Sequence, residues 1–250
     1  MRRAAFLVAT LSACASAESM PIDPFLDSSK GDGHPARLEE LDHSKLDMDE
    51  PSDLVQVDGK LYSVSDRHSK IYRVKPNGDA DVHMNVDGTD LEAIGFDPDR
   101  GEFLIADETK SKIWTIDAAG DRHDAIELDN ADDGNSGIEG IVVAGNGHLY
   151  AVKEKDPARI YELDADGTLL ASKKIELADD LSAITYNADD DHLYVLSDED
   201  RSLFRLDKHW NADRAWKLPV DHPEGVAFDG TTLYVVSDGD HRIYTFELVD

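Results

Sequence analysis

Short apolar segments alternate with polar turns from about residue 50 onward, and the same order of segments recurs five times. Each repeat opens with a short apolar segment, followed by a turn rich in Asp, Asn and Gly and then by a second apolar segment that ends on an acid. The opening segments are 52–55, 92–96, 139–142, 182–186 and 224–228. Short apolar runs bounded by such turns predict β-strands in every repeat.

The length of the repeat indicates the architecture. The acids that end the second strands are 41, 47, 44 and 40 residues apart. A third strand with alternating apolar and polar residues begins five or six residues after each acid, and a weaker fourth strand closes the first four repeats. A unit of about 40–47 residues with four strands is typical of a β-propeller blade.

The fifth repeat ends after its third strand, so another segment has to supply the fourth. Residues 36–41 lie just before the first repeat and can pair with the last one, which removes an exposed sheet edge. We therefore predict an all-β fold: a single five-bladed β-propeller of four-stranded antiparallel blades over residues 36–250, closed by this N-terminal strand. A six-bladed ring with one degenerate blade is the rival, but the chain leaves no room for it.

The N-terminal residues have the pattern of an export signal. Arg2 and Arg3 precede an apolar stretch over 4–11, which predicts a signal peptide over residues 1–13. Residues 11–14 resemble a bacterial lipobox, in which Cys14, the sole cysteine, becomes lipidated. Cleavage after Ala17 is the alternative and would release a soluble periplasmic or secreted protein. Residues 14–35, rich in Ser, Pro, Gly and Asp, then form a flexible acidic tether to the domain.

Charge narrows the range of partners. The chain has 250 residues with 54 Asp and Glu against 25 Lys and Arg, a formal net charge of −29. Nucleic acids and anionic membrane surfaces are disfavoured, because both require clustered basic residues. Solubility or adaptation to a salty habitat explains most of such an excess. We expect a monomer that meets the membrane only through its lipid anchor and binds an unidentified envelope protein or small ligand.

Some of the acids recur at equivalent places in the repeats. The first strands of a propeller line its central channel, so their opening residues face one another around the axis. Glu92, Glu139 and Glu224 are such residues, and Asp53 stands beside the equivalent Ser52. Converging carboxylates raise one another's pKa unless a cation neutralises them. Because the donors are oxygens, we expect these four acids to bind Ca²⁺, with Mg²⁺ as the alternative.

A second acidic ring lies outside the first, at the ends of the second strands. Its members are Asp66, Asp107, Glu154, Asp198 and Asp238. Acids at such positions commonly cap the following turn by accepting backbone N–H bonds, and this is the role we expect for most of the outer ring. His68 and His241 follow two of these acids, and we expect them to be exposed. Asn146 and Asn187 fall at the opposite rim of the propeller.

Two segments resemble a known family. The sequences GIEGIVVAGNGHLYAVKE over 137–154 and PEGVAFDGTTLYVVSDG over 223–239 resemble the SdiA-regulated family of bacterial exported propeller proteins. They are also similar to the wider group that includes gluconolactonase-like and esterase-like phytase propellers. The Glu-Gly pair is intact only at Glu139 and Glu224 and is replaced by Glu-Ala, Ser-Asp or Ser-Ala in the other repeats. The resemblance implies a propeller in the cell envelope, with no firmly assigned reaction.

Two functions are consistent with these features. The first is a cation-binding scaffold in the cell envelope that presents a ligand-binding or partner-binding surface, without catalysis. The second is a divalent-metal-dependent hydrolase of lactones or phosphoesters, as in similar propellers, in which a channel-bound ion activates water. No residue is assigned a catalytic role on the sequence alone.

Overall fold

The structure is a computed structural model that describes residues 37–88, 90–107, 112–128 and 137–249. The predicted signal peptide over 1–13, the tether over 14–35 and the predicted lipidation site Cys14 lie outside these residues. All the regular elements of the described part are β-strands. No helix there is long and apolar enough to cross a membrane.

Twenty strands make up the described part: an N-terminal strand and the strands of five blades. The N-terminal strand is β1 (Arg37–Lys45). Blade 1 contains β2 (Pro51–Val57), β3 (Lys60–Ser65), β4 (Lys70–Val74) and β5 (Ala80–Asn85). Blade 2 contains β6 (Leu91–Asp97), β7 (Glu102–Asp107), β8 (Lys112–Ile116) and β9 (Arg122–Glu127). Blade 3 contains β10 (Ile138–Val143), β11 (Leu149–Lys153), β12 (Arg159–Leu163) and β13 (Leu169–Lys174). Blade 4 contains β14 (Ala183–Asn187), β15 (His192–Ser197), β16 (Ser202–Leu206) and β17 (Ala212–Lys217). Blade 5 contains β18 (Pro223–Asp229), β19 (Thr232–Ser237) and β20 (Arg242–Val249).

Each of the first four blades is an antiparallel sheet whose strands follow one another in the chain. In the fifth sheet the order is β18, β19, β20 and β1, so the two ends of the domain share a blade. The pairing runs from Arg37 opposite Val249 to Lys45 opposite Arg242. The predicted five-bladed propeller and its closure by an N-terminal strand are therefore confirmed, and β1 extends four residues past the predicted segment.

The first strands of the blades form a closed inner ring. Strands β2, β6, β10, β14 and β18 each contact the next, and β18 contacts β2. This ring surrounds the axis of the propeller, so the opening residues of the repeats come together at one end and the residues that follow the strands meet at the other.

Hydrophobic cores lie between blades. In the described part there are five, each combining side chains of two neighbouring blades. Adjacent residues of a second strand point into different cores, as Val195 and Leu196 do on β15. Because both faces of these strands are buried, they are apolar along most of their length, and this explains the apolar runs that precede each outer acid.

Candidate cation-binding site

A β-bulge at the start of the first strand positions the predicted inner residues. Between strands one and two the register shifts in four blades, at Pro51/Asp53, Leu91/Ala93, Ile138/Gly140 and Pro223/Gly225. The extra residues of these bulges are Ser52, Glu92, Glu139 and Glu224. A bulge redirects the side chain it carries and commonly occurs beside functional sites. The three predicted glutamates therefore occupy one structural position, repeated around the ring.

The residue after each bulge is small in most blades, since the inner strands approach closely there. A Cβ at Gly140 would lie 2.5 Å from the backbone nitrogen of Ile184. A Cβ at Gly225 would lie 2.6 Å from the carbonyl carbon of Asp53. The Gly of the Glu-Gly pair thus permits contact between the backbones of neighbouring blades. In blade 1 this position holds a larger residue, Asp53.

Asp53 is 1% exposed and links three blades. Its carboxylate accepts hydrogen bonds from the backbone N–H groups of Leu54 (2.7 Å) and Ile94 (3.0 Å), and also from that of Ile141. Burial holds the pKa of Asp53 well above its ordinary value, although these hydrogen bonds act in the opposite direction. The structure therefore places Asp53 among backbone donors, one position deeper than the bulged glutamates.

The surroundings of Glu224 shift its pKa strongly. Burial, followed in order by the negative charges of Asp198, Glu92, Asp238 and Asp180, raises the pKa of Glu224 to about 8. These neighbours come from blades 2, 4 and 5, as expected for residues that converge on one axis. A carboxyl group held in this way favours either a proton or a bound cation.

Asp198 and His222 complete a cluster around Glu224. One potential ligand atom from each of the three residues lies within 4.8 Å of the other two. The Nδ1 of His222 is 3.0 Å from Oδ2 of Asp198, and this hydrogen bond raises the pKa of the imidazole. The structure thus joins Glu224 of the predicted inner ring to Asp198 of the predicted outer ring.

Two further outer acids, Asp66 and Asp238, directly follow the second strands of blades 1 and 5. Burial, the adjacent Glu50 and, more weakly, the charge of Asp238 raise the pKa of Asp66 to about 6. In the described part of the chain, Oδ1 of Asp66 and Oδ1 of Asp238 are buried without a hydrogen-bond partner. Buried carboxylate oxygens that lack donors fit the requirements of a hard cation such as Ca²⁺.

The remaining outer acids have other surroundings. Glu154 forms an ion pair with Lys155 at 2.5 Å. Asp107 ends β7, but its side chain lies outside the described part of the structure. His68 and His241 lie at the same rim, 3.9 Å from Asp49 and Asp238 respectively.

Several basic side chains at this rim are paired with acids outside the Glu224 cluster. Arg67 pairs with Glu50, and Arg201 pairs with Asp221 at 2.7 Å. Lys155 lies 3.8 Å from Glu199 in addition to its contact with Glu154. The −29 charge of the whole chain is thus locally compensated at several hairpins of the rim.

Sequence reasoning did not identify two residues of the site, Asp180 and His222. Asp180 is 2% exposed and accepts hydrogen bonds from Ser197 Oγ at 2.5 Å and from the backbone N–H groups of Asp198 and Glu199. In blade 4, therefore, the turn is capped by Asp180 instead of by Asp198, which leaves Asp198 to contact His222. Both residues stand two positions before the opening residue of a repeat, where Glu50 and Asp90 also occur. The recurrence of polar residues at this position is the feature of the sequence that could have identified Asp180 and His222.

The strand order and the acidic rim define a five-bladed β-propeller. The SdiA-regulated family model matches residues 48–247, which is most of the chain. The chain belongs to the SdiA-regulated family.

Solved structures share the fold at low sequence identity. Virginiamycin B lyase from Staphylococcus aureus is 18% identical with a TM-score of 0.53, and the match covers 80% of this chain and 66% of the lyase, slightly under two thirds of its length. Glutaminyl cyclase from Myxococcus xanthus is 11% identical with a TM-score of 0.65, covering 86% of this chain and 98% of the cyclase. The PQQ-bound aldose sugar dehydrogenase from Streptomyces coelicolor is 14% identical with a TM-score of 0.60, and the match covers 86% of this chain and 98% of the dehydrogenase. At these identities the likeness concerns the fold alone.

Proposed function

We propose that this protein is an exported, lipid-anchored propeller of the bacterial cell envelope that binds Ca²⁺ at its acidic rim and acts as a scaffold for a ligand or partner. The convergence of Glu224, Asp198 and His222 within 4.8 Å is the observation that carries the cation site. The lipid anchor at Cys14 and the envelope location rest on the N-terminal sequence pattern.

Carboxylate oxygens would provide the first ligands. Glu224 and Asp198 supply them from blades 5 and 4, and Glu92 is close enough for its charge to raise the pKa of Glu224. Glu139 occupies the equivalent bulge in blade 3, and Asp53 remains the deepest of the predicted ligands. Because His222 adds a nitrogen donor beside these oxygens, Mn²⁺ and Zn²⁺ belong in the same test as Ca²⁺ and Mg²⁺.

Bound Ca²⁺ would act as a local counter-charge that fixes the relative positions of the blades. The candidate ligands belong to different blades, so a shared ion links elements that otherwise repel one another electrostatically. Such a site stabilises the ring and keeps the rim rigid for a partner.

Thermal unfolding of chelator-treated protein tests the proposal. If the Ca²⁺ concentration is about 100 times the dissociation constant, binding stabilises the folded state by about 2.7 kcal/mol. We expect the melting temperature to rise on adding Ca²⁺, and we expect Glu224→Gln to abolish the rise. Glu247→Gln is the matched control, because Glu247 is an exposed residue of the same blade on β20.

The same melting-temperature measurement can contradict the proposed cation site. If none of the four divalent ions raises the melting temperature of the unaltered protein, the rim does not bind a cation. If Ca²⁺ stabilises Glu224→Gln as much as the unaltered protein, the ion binds elsewhere.

A metal-dependent hydrolase is the second candidate, and one observation favours it. Glu224 with a pKa of about 8 lies beside the hydrogen-bonded pair Asp198 and His222, and groups that titrate near neutrality are suited to general acid–base catalysis. Lactones and phosphoesters should be tested with and without divalent ions. Turnover that depends on the ion and is lost in Asp198→Asn supports this function, and a uniformly negative screen contradicts it.

A further inference from the structure

A cavity lies at the end of the channel opposite the acidic rim. It has a volume of about 270 Å³ and is lined by residues from all five blades, taken from the second half of each first strand and the turn that follows. That volume corresponds to about nine water molecules at ~30 Å³ each, enough for a ligand the size of a monosaccharide. The propeller therefore has a second candidate site on the same axis.

Two polar side chains deep in this cavity have hydrogen-bonding groups without partners. Thr185 and Asn187 both line the cavity from β14 and are each 7% exposed. They are two residues apart on one strand, so their side chains point to the same face. Asn187 Oδ1 accepts the backbone N–H of Asp189, but within the described ranges Asn187 Nδ2 and Thr185 Oγ1 have no protein partner. Neither atom is among the fully buried unpartnered atoms, so each retains access to the cavity and is available to a ligand there.

Acids surround the mouth of the cavity. Asp189 and Asp229 both line it and are exposed. Gln56 Nε2 donates to Oδ1 of Asp229 at 3.1 Å, whereas the Asp189 carboxylate has no partner among the residues described. The two acids belong to adjacent turns, since a Cβ at Gly230 would lie 3.7 Å from Oδ2 of Asp189. No Lys, Arg or His of the described part lines the cavity, so the mouth attracts positive charge and disfavours anions.

Apolar side chains form the rest of the wall, which distinguishes this cavity from a site for a bare metal ion. Val55, Phe96, Val142 and Phe228 line it on four different first strands. These apolar surfaces supply no ligand atoms to a metal ion, whereas the carbon skeleton of an organic ligand can pack against them. Phenylalanine rings also attract an ammonium group that approaches their faces.

We propose that this mouth binds a small organic cation with a primary amine and neighbouring hydroxyl groups, such as an amino sugar. The ammonium pairs with Asp189 and Asp229 at the entrance. Deeper in the cavity, hydroxyl oxygens of the ligand accept from Asn187 Nδ2 and exchange hydrogen bonds with Thr185 Oγ1. The site is independent of the acidic rim, because it shares none of the rim's residues.

Calorimetric titration with glucosamine, in the presence of a chelator that removes divalent ions, tests this inference. Glucose is the neutral counterpart, with a hydroxyl in place of the ammonium group. We expect glucosamine to bind and glucose to bind at least about tenfold more weakly, because the ammonium group pairs with two carboxylates whereas the hydroxyl group in its place is neutral. Asp189→Asn should weaken the binding of glucosamine by about tenfold, and Thr185→Val should weaken both ligands.

A matched control separates the cavity from the general negative charge. Asp99 occupies the same turn position in blade 2, and its backbone N–H bonds to Asp97 Oδ1 as that of Asp189 bonds to Asn187. It does not line the cavity, so Asp99→Asn should leave the binding of glucosamine unchanged. The inference is overturned if glucosamine does not bind, if glucose binds equally well, or if Asp99→Asn and Asp189→Asn have the same effect.

Discussion

Burial of the Glu224 carboxyl group beside other acids makes the stability of the folded protein depend on pH. Its ordinary pKa is 4.5, and in the folded protein burial and neighbouring acids raise the pKa to about 8. Below pH 4.5 both folded and unfolded forms carry the proton, and no penalty arises. Between these two values the unfolded form ionises while the folded form keeps its proton, so the free energy of unfolding falls as the pH rises. Above about pH 8 the loss is complete.

Glu224→Gln should therefore stabilise the chelator-treated protein at pH 8 and not at pH 4. The expected gain is on the order of 2–4 kcal/mol at the higher pH, because the glutamine amide has no charge to desolvate. Denaturant unfolding at both pH values measures it, with Glu247→Gln as the control for loss of an exposed acid. An equal effect of Glu224→Gln at pH 4 and pH 8 would contradict the assigned environment.

Among the structural elements, the Glu-Gly pair is a unit with two distinct roles. The glutamate is the extra residue of a bulge, whereas the glycine lets neighbouring first strands touch. In blade 3 the backbone of Gly140 does not adopt a positive φ, so its requirement is for space alone. The same pair thus sets the width of the channel and the direction of the acid.

Gly140→Ala should be strongly destabilising. The new methyl group would lie 2.5 Å from the Ile184 nitrogen and 2.9 Å from the Ala183 carbonyl carbon, and backbone atoms cannot move away as a flexible side chain can. We expect a loss of about 3 kcal/mol. In the turn between β2 and β3, Gly59 has a φ of +70° and nothing within 4 Å of an added Cβ, so Gly59→Ala should cost only about 1 kcal/mol of backbone strain. A smaller loss for Gly140→Ala than for Gly59→Ala, measured by thermal or denaturant unfolding, would contradict this explanation.

For the molecule as a whole, the net charge of −29 opposes compaction. Salt screens repulsion between surface charges, because the Debye length falls from about 10 Å at 0.1 M to about 3 Å at 1 M. The melting temperature at pH 7, measured in chelator, should therefore rise between 0.05 M and 1 M NaCl, and KCl should act equally. A melting temperature that does not change, or that falls, would indicate that the acids are compensated throughout.

The fold could be predicted because its signal is repeated. Five copies of one strand pattern leave little ambiguity about architecture, and the missing strand of the last repeat indicates closure by β1. The positions of Glu92, Glu139 and Glu224 follow from the same repetition. Equivalent residues of a closed ring must share one end of the channel.

The partners of these acids could not be predicted, since they depend on contacts between blades and on irregular backbone. His222 reaches Asp198 of the preceding blade from a residue with a φ of 44°, a conformation uncommon outside glycine. A carboxylate such as that of Asp53 could bind a cation, but in the fold it accepts backbone hydrogen bonds, and two of its three donors come from the neighbouring strands β6 and β10. The candidate site in the cavity near Asn187 depends on which polar side chains remain without a protein partner after folding. The amino-acid pattern does not indicate which ones these are.

A high-resolution crystal structure of protein soaked in Ca²⁺ is the decisive test of the cation site, through the density in the channel at the acidic rim. We expect one ion whose ligands include Glu224 and Asp198, with Ca–O distances of about 2.3–2.6 Å. Soaked crystals of Glu224→Gln should lack that ion. Density for water alone between Glu224 and Asp198, or an ion bound only elsewhere on the protein, would contradict the proposed site.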